Sequence, residues 1–458
     1  MSLRERAIRA GFWTIASYSV ELSTRLISNL IMTRLLFPDA FGVIAAAMAL
    51  IVGLQLLSDF GVRTVIIQSP RGEDTDFLRS AWVFQTLRCV VLWLLLAVGC
   101  MSLGIPQVRS LFAATSVFAT PSFPATAAVL GLMLILGGLE STALPLNVRK
   151  LNFRPIVVLD LTARIVPLPI MIGWAYLFPS AWSIVVGTLA GAGIRAVMSH
   201  LVIPGPRMAF VWNADHIKEI VAFGKWINVS SWASFISLQS DIIILGLLLP
   251  GPVLGIYFIA KTLVDAVESL LERLNGSMTL PVLGEVIRSN PGNLRSRYYR
   301  FRLPIELVAA GSAGFMFSSS DFIVHLLYDQ RYSEAGIMLK VLSLGLVIYP
   351  FQLIRSAFTA IGRTDLVAGV SVLQAVSLVS SLSLGYCLFG TLGAIGGVAF
   401  SRLIPSVTMI VLAQRRHWIS AWNELRWIPI CVTGLLLGEL VSRSLHHLTV
   451  TSIRQMFW

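Results

Sequence analysis

The chain has 458 residues, of which 56% are hydrophobic and only 13% are charged, about half the charged share of soluble globular proteins. This composition cannot supply a charged exterior, so it excludes a water-soluble enzyme, a nucleic-acid-binding domain and a disordered chain. The net charge of +12 comes from basic residues in short groups between long apolar runs, a pattern typical of an integral membrane protein.

Stretches of about 20 mostly apolar residues, the length that crosses a bilayer as a helix, recur along the chain and predict its transmembrane elements. In chain order they are 11–33, 40–62, 80–103, 124–146, 156–178 and 180–203, followed by 220–249, 252–280, 303–327, 338–361, 366–389 and 391–413. A further stretch at 427–446 is a candidate thirteenth helix. The sequence therefore predicts an all-α integral membrane protein with twelve core transmembrane helices.

Basic residues are concentrated in every second connection between these stretches. The basic connections hold Arg4, Arg6 and Arg9; Arg63, Arg71 and Arg79; Arg149, Lys150 and Arg154; Arg207 and Lys218; Arg288, Arg295, Arg297, Arg300 and Arg302; Arg363; and Arg415, Arg416 and Arg426. The alternate connections hold little beyond Arg34, Arg109, Arg331 and Lys340. Because cytoplasmic loops carry the excess of Lys and Arg, this pattern predicts a cytoplasmic N-terminus.

The two halves of the chain share a motif at a nearly constant offset. Pro38 and Gly42 in RLLFPDAFG lie 212 and 213 positions before Pro250 and Gly255 in GLLLPGPVLG. Six helices separate the copies, so both halves would have the same orientation and form two parallel six-helix bundles. The predicted division is an N-terminal lobe (1–205), a cytoplasmic linker (206–218), a C-terminal lobe (219–413) and an extension with the candidate thirteenth helix (414–458).

Several segments carry a resemblance to a known family. They are GFWTIASYSVELSTRLISNLIMTRLLFPDAFGVIAAA (11–47), LLSDFGVRTVIIQ (56–68), SDIIILGLLLPGPVLGIYFIAKTL (240–263), LLYDQRYSEAGIMLKVLSLG (326–345) and AIGRTDL (360–366). Together they resemble the polysaccharide-transport (Wzx-like) flippases of the multidrug/oligosaccharidyl-lipid/polysaccharide exporter superfamily.

The resemblance implies a multi-pass protein of the bacterial inner membrane. Its function would be to flip polyprenyl-pyrophosphate-linked oligosaccharide units outward for exopolysaccharide, capsule or O-antigen (lipopolysaccharide) synthesis, by alternating access of two lobes around a cationic cavity. It implies no cofactor and no nucleic acid. The partners would be the lipid-linked oligosaccharide and membrane lipids, with polysaccharide polymerase and chain-length machinery as further candidates.

Charged residues inside the predicted helices are candidates for the substrate pathway, because a charge in the membrane is costly and usually faces a cavity. Glu21 and Arg25 lie four residues apart, as do Asp160 and Arg164, so each pair shares a helix face. Each pair is interpreted either as a salt bridge that hides both charges or as a cavity-facing pair whose arginine contacts phosphate. The remaining pathway candidates are Asp241, Lys261 and Arg402.

The eighth predicted helix carries a stripe of charges, Lys261, Asp265, Glu268 and Glu272, at spacings of 4, 3 and 4, which places them on one face. Because so polar a stripe cannot face lipid, we expect it to line the cavity or the seam between the bundles. Asp265 and Glu268 are candidates for ion coupling, whereas Glu272 is interpreted as interfacial.

Single charges elsewhere have a competing interpretation. Arg88 and Arg355 lie nearer the cytoplasmic side of their helices, where a long side chain can snorkel to the interface. Arg402 lies nearer the middle of its helix, where snorkelling is a weaker explanation.

The residues bear differently on three alternative functions. A flippase of the peptidoglycan precursor stays open, whereas a cationic-drug antiporter is disfavoured by Arg25, Arg164 and Arg402. A membrane polysaccharide polymerase needs a catalytic cluster, and no HExxH, DxD or Ser/His/Asp grouping is visible, so the chain is predicted not to be an enzyme. The four cysteines form no CxxC pair, and no metal site is predicted.

Overall fold

The computed structural model describes residues 20–275, 294–361, 363–415 and 424–449. Within these ranges every regular element is helical, which confirms the predicted all-α class. The start of the first predicted span, the end of the eighth, and the basic residues Arg4, Arg6, Arg9, Arg288 and Arg416 lie outside the described residues.

The chain divides into two compact units, Met1–Gly255 and Ile256–Trp458. The helices of the first unit are α1 (20–35), α2 (Pro38–Leu57), α3 (Val62–Gln68), α4 (Thr75–Leu103), α5 (Pro106–Arg109), α6 (Phe123–Leu130), α7 (Leu132–Gly138), α8 (Ala143–Arg149), α9 (Arg154–Ile165), α10 (Pro167–Leu177), α11 (Ala181–Leu201) and α12 (Ala214–Leu248). The boundary between these two units lies after α12, whereas the predicted linker between the lobes (206–218) ends just after the start of that helix. The division into functional lobes therefore stays a prediction.

The helix α13 (Gly251–Leu274) begins at the end of the first unit and carries the chain into the second. The second unit continues with α14 (Leu294–Leu327), α15 (Ala335–Ser343), a 3₁₀ helix (Leu344–Gln352), α16 (Leu353–Ala360), α17 (Thr364–Phe400), α18 (Leu403–Gln414) and α19 (Trp427–Thr449).

Within the described ranges, eight helical stretches are long and apolar enough to cross a membrane, and one bent pair raises the number to nine. One stretch, Asp365–Gln414, contains the two predicted spans 366–389 and 391–413. Between them Gly390 has φ +62° and ψ −144°, a conformation that glycine adopts readily and other residues avoid. The structure therefore confirms a multi-pass membrane protein, while the count of twelve helices stays a prediction.

The predicted single helix 124–146 is broken in the structure, with a bend of 56° between Gly138 and Ala143. The carbonyl oxygen of Gly138 accepts hydrogen bonds from Thr86 Oγ1 at 2.9 Å and from Gln85 Nε2 at 3.1 Å. A helix break at membrane depth is tolerated where side chains satisfy the released backbone groups. Hydropathy alone does not report such a break, because the polar groups that permit it come from α4.

The repeated motif occupies equivalent places in the two halves of the sequence. Pro38 is the first residue of α2, and Pro250 immediately precedes α13. A Cβ atom on Gly42 would overlap the carbonyl oxygen of Gly251, and one on Gly255 would overlap that of Pro38. The two copies of the motif therefore face each other backbone to backbone, a contact that requires glycine. We call this contact the glycine seam.

The candidate thirteenth helix is formed as α19, and it packs along α14. A Cβ atom on Gly434 would overlap the carbonyl oxygen of Gly311, and one on Gly314 would overlap that of Cys431. Small residues at such positions let two helix backbones approach closely in a membrane, where van der Waals packing drives helix association. The helix α19 is thus an integral part of the second unit.

A buried ion cluster joins α14 to the chain that leads into α19. Arg302 is fully buried, and it is paired with Glu424 and with Glu306, the latter at 3.2 Å. Tyr299 Oη donates a hydrogen bond of 2.6 Å to Glu424, and the Arg302 guanidinium lies 4.7 Å from the centre of the Phe351 ring. Two carboxylates, Glu306 and Glu424, therefore hold one buried guanidinium inside the second unit.

Candidate functional site

A groove in the second unit brings together polar and charged side chains from the 3₁₀ helix, α16, α17, α18 and the link between the last two. It is lined by Phe351, Gln352, Arg355, Val370, Gln374, Arg402, Pro405, Ser406 and Met409. The space between these side chains amounts to about 230 Å³, a volume that includes space open to solvent. Its two arginines make it a candidate site for an anion.

Two walls of the groove are interrupted helices. On one side the chain runs as a 3₁₀ helix that contains Pro350, and on the other α17 and α18 are separated at Ser401 and Arg402. Pro405 explains the second interruption, because its ring nitrogen has no hydrogen to donate to the carbonyl of Ser401, and its ring crowds that carbonyl. Interrupted helices at membrane depth are typical of cavity walls and of substrate sites in transporters.

Arg402 is held by a carboxylate in a two-pronged ion pair. Its Nη1 lies 2.5 Å from Glu268 Oε1 and its Nη2 lies 2.9 Å from Glu268 Oε2. The two side chains are 24% and 17% exposed, so water screens this pair only weakly. Two parallel N–H···O bonds of this kind combine charge attraction with fixed geometry.

Arg355 is held differently, by neutral groups of α17. Its Nη1 donates to Gln374 Oε1 at 3.0 Å, and its Nη2 donates to Ser371 Oγ at 2.8 Å. In the described part of the chain no carboxylate lies within ion-pair distance of this guanidinium. The groove is thus lined by two guanidinium groups and by no carboxylate, while Glu268 and, more weakly, Asp265 and Glu272 act on Arg402 from α13.

The first unit has a cluster in which carboxylates enclose an arginine. Arg195 on α11 pairs through Nε with Glu140 at 2.8 Å and through Nη1 with Asp160 on α9. One turn along α9, Arg164 Nη2 pairs with Glu21 at 2.8 Å. Two carboxylates therefore hold Arg195, and Arg63 contributes a further positive charge near Glu140.

The two predicted pairs within single helices do not form. Glu21 pairs with Arg164 rather than with Arg25, and Asp160 pairs with Arg195 rather than with Arg164. Spacing places two residues on one helix face, but a neighbouring helix can offer a closer or better-oriented partner, as it does here. Arg25 is exposed, and among the described residues it has no ion-pair partner.

The other predicted residues are distributed over both units. Asp241, on α12 in the first unit, is only 2% exposed. Lys261 and Asp265 are half-buried on α13, on the same helix as Glu268, and Glu272 is exposed there. Of the predicted pathway and ion-coupling residues in the second unit, the structure therefore joins Arg402 and Glu268 directly.

Sequence reasoning missed several members of these sites. Glu140 and Arg195 are charged residues inside predicted transmembrane helices, and this could have identified them as candidate site residues. For Arg355 the sequence leaves snorkelling and a substrate role both open, and the structure holds its guanidinium inside the unit through Gln374 and Ser371. For those two neutral side chains the sequence gives only a weak signal, because serine and glutamine also form hydrogen bonds between transmembrane helices that line no site.

Comparison with known proteins gives a consistent result. A sequence model of the polysaccharide biosynthesis protein family matches residues 31–337. The lipopolysaccharide biosynthesis protein WzxC of Escherichia coli (strain K12) is 20% identical over 464 residues, covering 97% of this chain and 90% of WzxC. The succinoglycan biosynthesis transport protein ExoT of Rhizobium meliloti (strain 1021) is 20% identical over 387 residues, covering 81% and 73%.

Solved structures show the same fold. The lipid II flippase MurJ in an inward closed conformation matches with a TM-score of 0.66 at 14% identity, over 95% of this chain and 93% of MurJ. An inward-facing multidrug resistance transporter of the MATE family matches with a TM-score of 0.60 at 14% identity, over 88% and 94%. These relatives are transport proteins, not enzymes.

Proposed function

The chain belongs to the polysaccharide biosynthesis protein family, and we propose that it is a flippase that moves polyprenyl-pyrophosphate-linked oligosaccharide units across the bacterial inner membrane for exopolysaccharide, capsule or O-antigen synthesis. The observation that carries this proposal is the groove of the second unit, which is lined by Arg355 and Arg402 and by no carboxylate. Charged side chains inside a membrane protein are costly and mark the pathway of a substrate or ion, and two arginines on one groove suit an anion.

The charge of the groove also bears on the alternatives. A cationic drug would be repelled by the two arginines that line the groove, so a drug antiporter is disfavoured. The peptidoglycan precursor carries a polyprenyl pyrophosphate as well, and the groove chemistry suits both cargoes. The family match and the names of the sequence relatives, which refer to lipopolysaccharide and succinoglycan, favour a polysaccharide unit.

The transport cycle we infer is alternating access. In the orientation predicted from basic residues, the connection that holds Arg34 lies outside, so the glycine seam formed by Gly42 and Gly251 would close the outer end. The pyrophosphate headgroup would enter from the cytoplasmic side, contact the interior arginines, and leave outside after the lobes rock. The polyprenyl tail would stay in the lipid throughout.

The inner-membrane location and the cytoplasmic N-terminus belong to the same proposal. Single cysteines at Arg363 and at Leu111, in a chain whose native cysteines are replaced, should be labelled from opposite sides by a membrane-impermeant maleimide. In intact cells Leu111→Cys should react and Arg363→Cys should not. Reaction of both positions from outside would contradict the orientation.

The function is tested by deleting the gene in its host and locating the polyprenyl-linked sugars across the inner membrane. We expect complete oligosaccharide units to accumulate on the cytoplasmic face and polymer to be lost. Complementation with the wild-type gene should restore export, whereas Arg402→Ala and Arg355→Ala, expressed at normal levels, should not. Arg363→Ala is the matched control, because the Arg363 side chain is 42% exposed and its ion-pair partner among the described residues is its neighbour Asp365.

The other outcomes point to other functions. Accumulation of finished units on the outer face would mean that translocation is intact, and a role beside the polysaccharide polymerase would replace the flippase. No change in either pool would refute a polysaccharide cargo, and lipid II and drug export would be measured next. Full export by Arg25→Ala, Arg164→Ala and Arg402→Ala alike would refute the cationic pathway.

A further inference from the structure

We propose that the groove of the second unit binds the diphosphate of the cargo by exchange, with one phosphate displacing Glu268 from Arg402 and the other neutralising Arg355. This inference rests on the proposed function and specifies the site and the event by which the headgroup is held. Glu268 is then a resident substitute for the substrate anion, which holds Arg402 while the groove is empty.

Charge balance is the first argument. A diphosphate linked to a lipid at one end and to a sugar at the other is a diester with two negative charges, one on each phosphate. The groove offers two guanidinium groups, Arg355 and Arg402, and Glu268 is in direct contact with the second. Displacement of Glu268 from this contact leaves two guanidinium groups to meet the two phosphate charges, while Asp265 and Glu272 act on Arg402 only from a greater distance.

Geometry is the second argument. Glu268 uses both of its oxygens on both terminal nitrogens of Arg402, an arrangement that a phosphate reproduces with two of its oxygens. An exchange of carboxylate for phosphate therefore requires no new orientation of the guanidinium. Arg355 needs no displacement at all, because Gln374 and Ser371 position it without cancelling its charge.

An unsatisfied donor in the groove wall is the third and independent argument. The side-chain amide nitrogen Nε2 of Gln352 is buried, and it has no hydrogen-bond acceptor among the described residues. Gln352 lines the same groove as both arginines. A buried donor without an acceptor costs free energy, and an oxygen of a bound phosphate would remove that cost.

The first unit supplies the contrast. Its α11 arginine, Arg195, is enclosed by Glu140 and Asp160, so a phosphate would have to displace two carboxylates to reach one guanidinium. That exchange would leave an excess of negative charge beside an anion. The headgroup is therefore expected in the groove of the second unit and not at this cluster.

If a phosphate replaces Glu268 at Arg402, the Glu268→Gln variant should behave differently from a variant in which Glu268 serves only to position Arg402. If Glu268 competes with the substrate, Glu268→Gln should bind the headgroup more tightly, because the neutral amide is a weaker competitor for Arg402. Release on the far side should then be slower, because Glu268 no longer reclaims the arginine. Tighter binding together with slower export is the signature of an exchangeable counter-ion.

The test uses the full-length protein in lipid nanodiscs and isothermal titration calorimetry. The probe is undecaprenyl diphosphate carrying one N-acetylglucosamine, and the comparison probe is the same lipid-linked sugar with a single phosphate. We expect the diphosphate probe to bind about tenfold or more tightly than the monophosphate probe, and Arg355→Ala and Arg402→Ala to weaken it by at least about tenfold. Glu268→Gln should tighten it by about fivefold, and Arg363→Ala should bind as the wild type does.

Inorganic pyrophosphate distinguishes a lipid headgroup from a free ion. We expect inorganic pyrophosphate at a hundredfold excess not to displace the lipid probe, since the tail and sugar of the probe contribute to its binding. Competition at stoichiometric concentration would assign the groove to a soluble phosphate and overturn the proposal. Arg402→Lys, which retains charge but not the two-pronged geometry, should bind with intermediate affinity.

Two results would overturn the exchange while leaving the flippase function intact. One is Glu268→Gln binding as weakly as Arg402→Ala in a protein that remains monodisperse, which would make Glu268 a positioning residue for Arg402. The other is unchanged binding and export by both arginine variants while gene deletion still traps the cargo on the cytoplasmic face. If deletion traps no cargo, the proposed function itself fails.

Discussion

Glu424→Ala tests whether the buried ion cluster holds α19 to the second unit. The substitution removes the partner of Arg302, which is fully buried, and the acceptor of the Tyr299 hydroxyl at 2.6 Å. Glu306, at 3.2 Å, is then the remaining carboxylate of the cluster. The guanidinium cannot turn to water, because the surrounding side chains exclude it.

The expected loss of stability follows from that burial. Glu306 still compensates the charge of Arg302, so the loss is that of two buried donors, Arg302 Nη1 and the Tyr299 hydroxyl, which no longer have Glu424 as their acceptor. A buried donor that loses its acceptor costs about 1–3 kcal/mol, and a charged donor costs more, so we expect about 3 kcal/mol for the two together. For a unit of about 200 residues, 1 kcal/mol corresponds to roughly 2–4 °C in Tm, so this loss predicts a decrease of about 6–12 °C.

The assay is thermal unfolding of the purified protein in detergent, followed by tryptophan fluorescence. The control is Arg443→Ala, which breaks an Arg443–Glu439 pair on the same helix whose side chains are 79% and 48% exposed. Such a surface pair contributes about 0–1 kcal/mol, so its Tm should change by about 4 °C at most. A Tm for Glu424→Ala within that range would refute the argument.

Three further predictions concern other contacts. Arg195→Met should lower the Tm more than Arg164→Met does. Loss of Arg195 leaves two carboxylates without their ion-pair partner, whereas the Arg164–Glu21 pair is half exposed. Equal decreases in Tm would contradict this prediction. Gly434→Leu should abolish a monodisperse size-exclusion peak, since its side chain would overlap the α14 backbone, while Gly173→Ala, with open space around it, should not. Gly42→Leu should block polymer export in a protein that still reaches the membrane, because the glycine seam cannot close; normal export would show that the seam does not seal the outer end.

Hydropathy was sufficient to predict the class of the molecule and most of its helices. The predicted boundary between 366–389 and 391–413 coincides with Gly390, whose backbone is not helical. Glycine adopts this backbone conformation readily, so a glycine within an apolar stretch can mark the place where two helices meet. The same reasoning overlooked the break in 124–146, since the donors that stabilise it come from α4.

Candidate site residues were predicted less completely than helices. Arg402 and Glu268 were both selected as costly charges inside the membrane, and the structure joins them. Their pairing could not be read from spacing, because 134 positions separate them. Arg355 is left open between snorkelling and a substrate role by the sequence, since nothing in it indicates that Gln374 would hold this side chain within the groove.

By itself the sequence determined that this chain is an all-helical membrane protein and which of its residues are too polar to face lipid. The reason is local: the transfer of a helix into the bilayer depends on about 20 consecutive side chains and little else. Only the tertiary structure decided which charges neutralise one another, because an ion pair requires a few ångströms between atoms of different helices. That lateral packing leaves Arg195 with two carboxylates and Arg355 with none among the described residues.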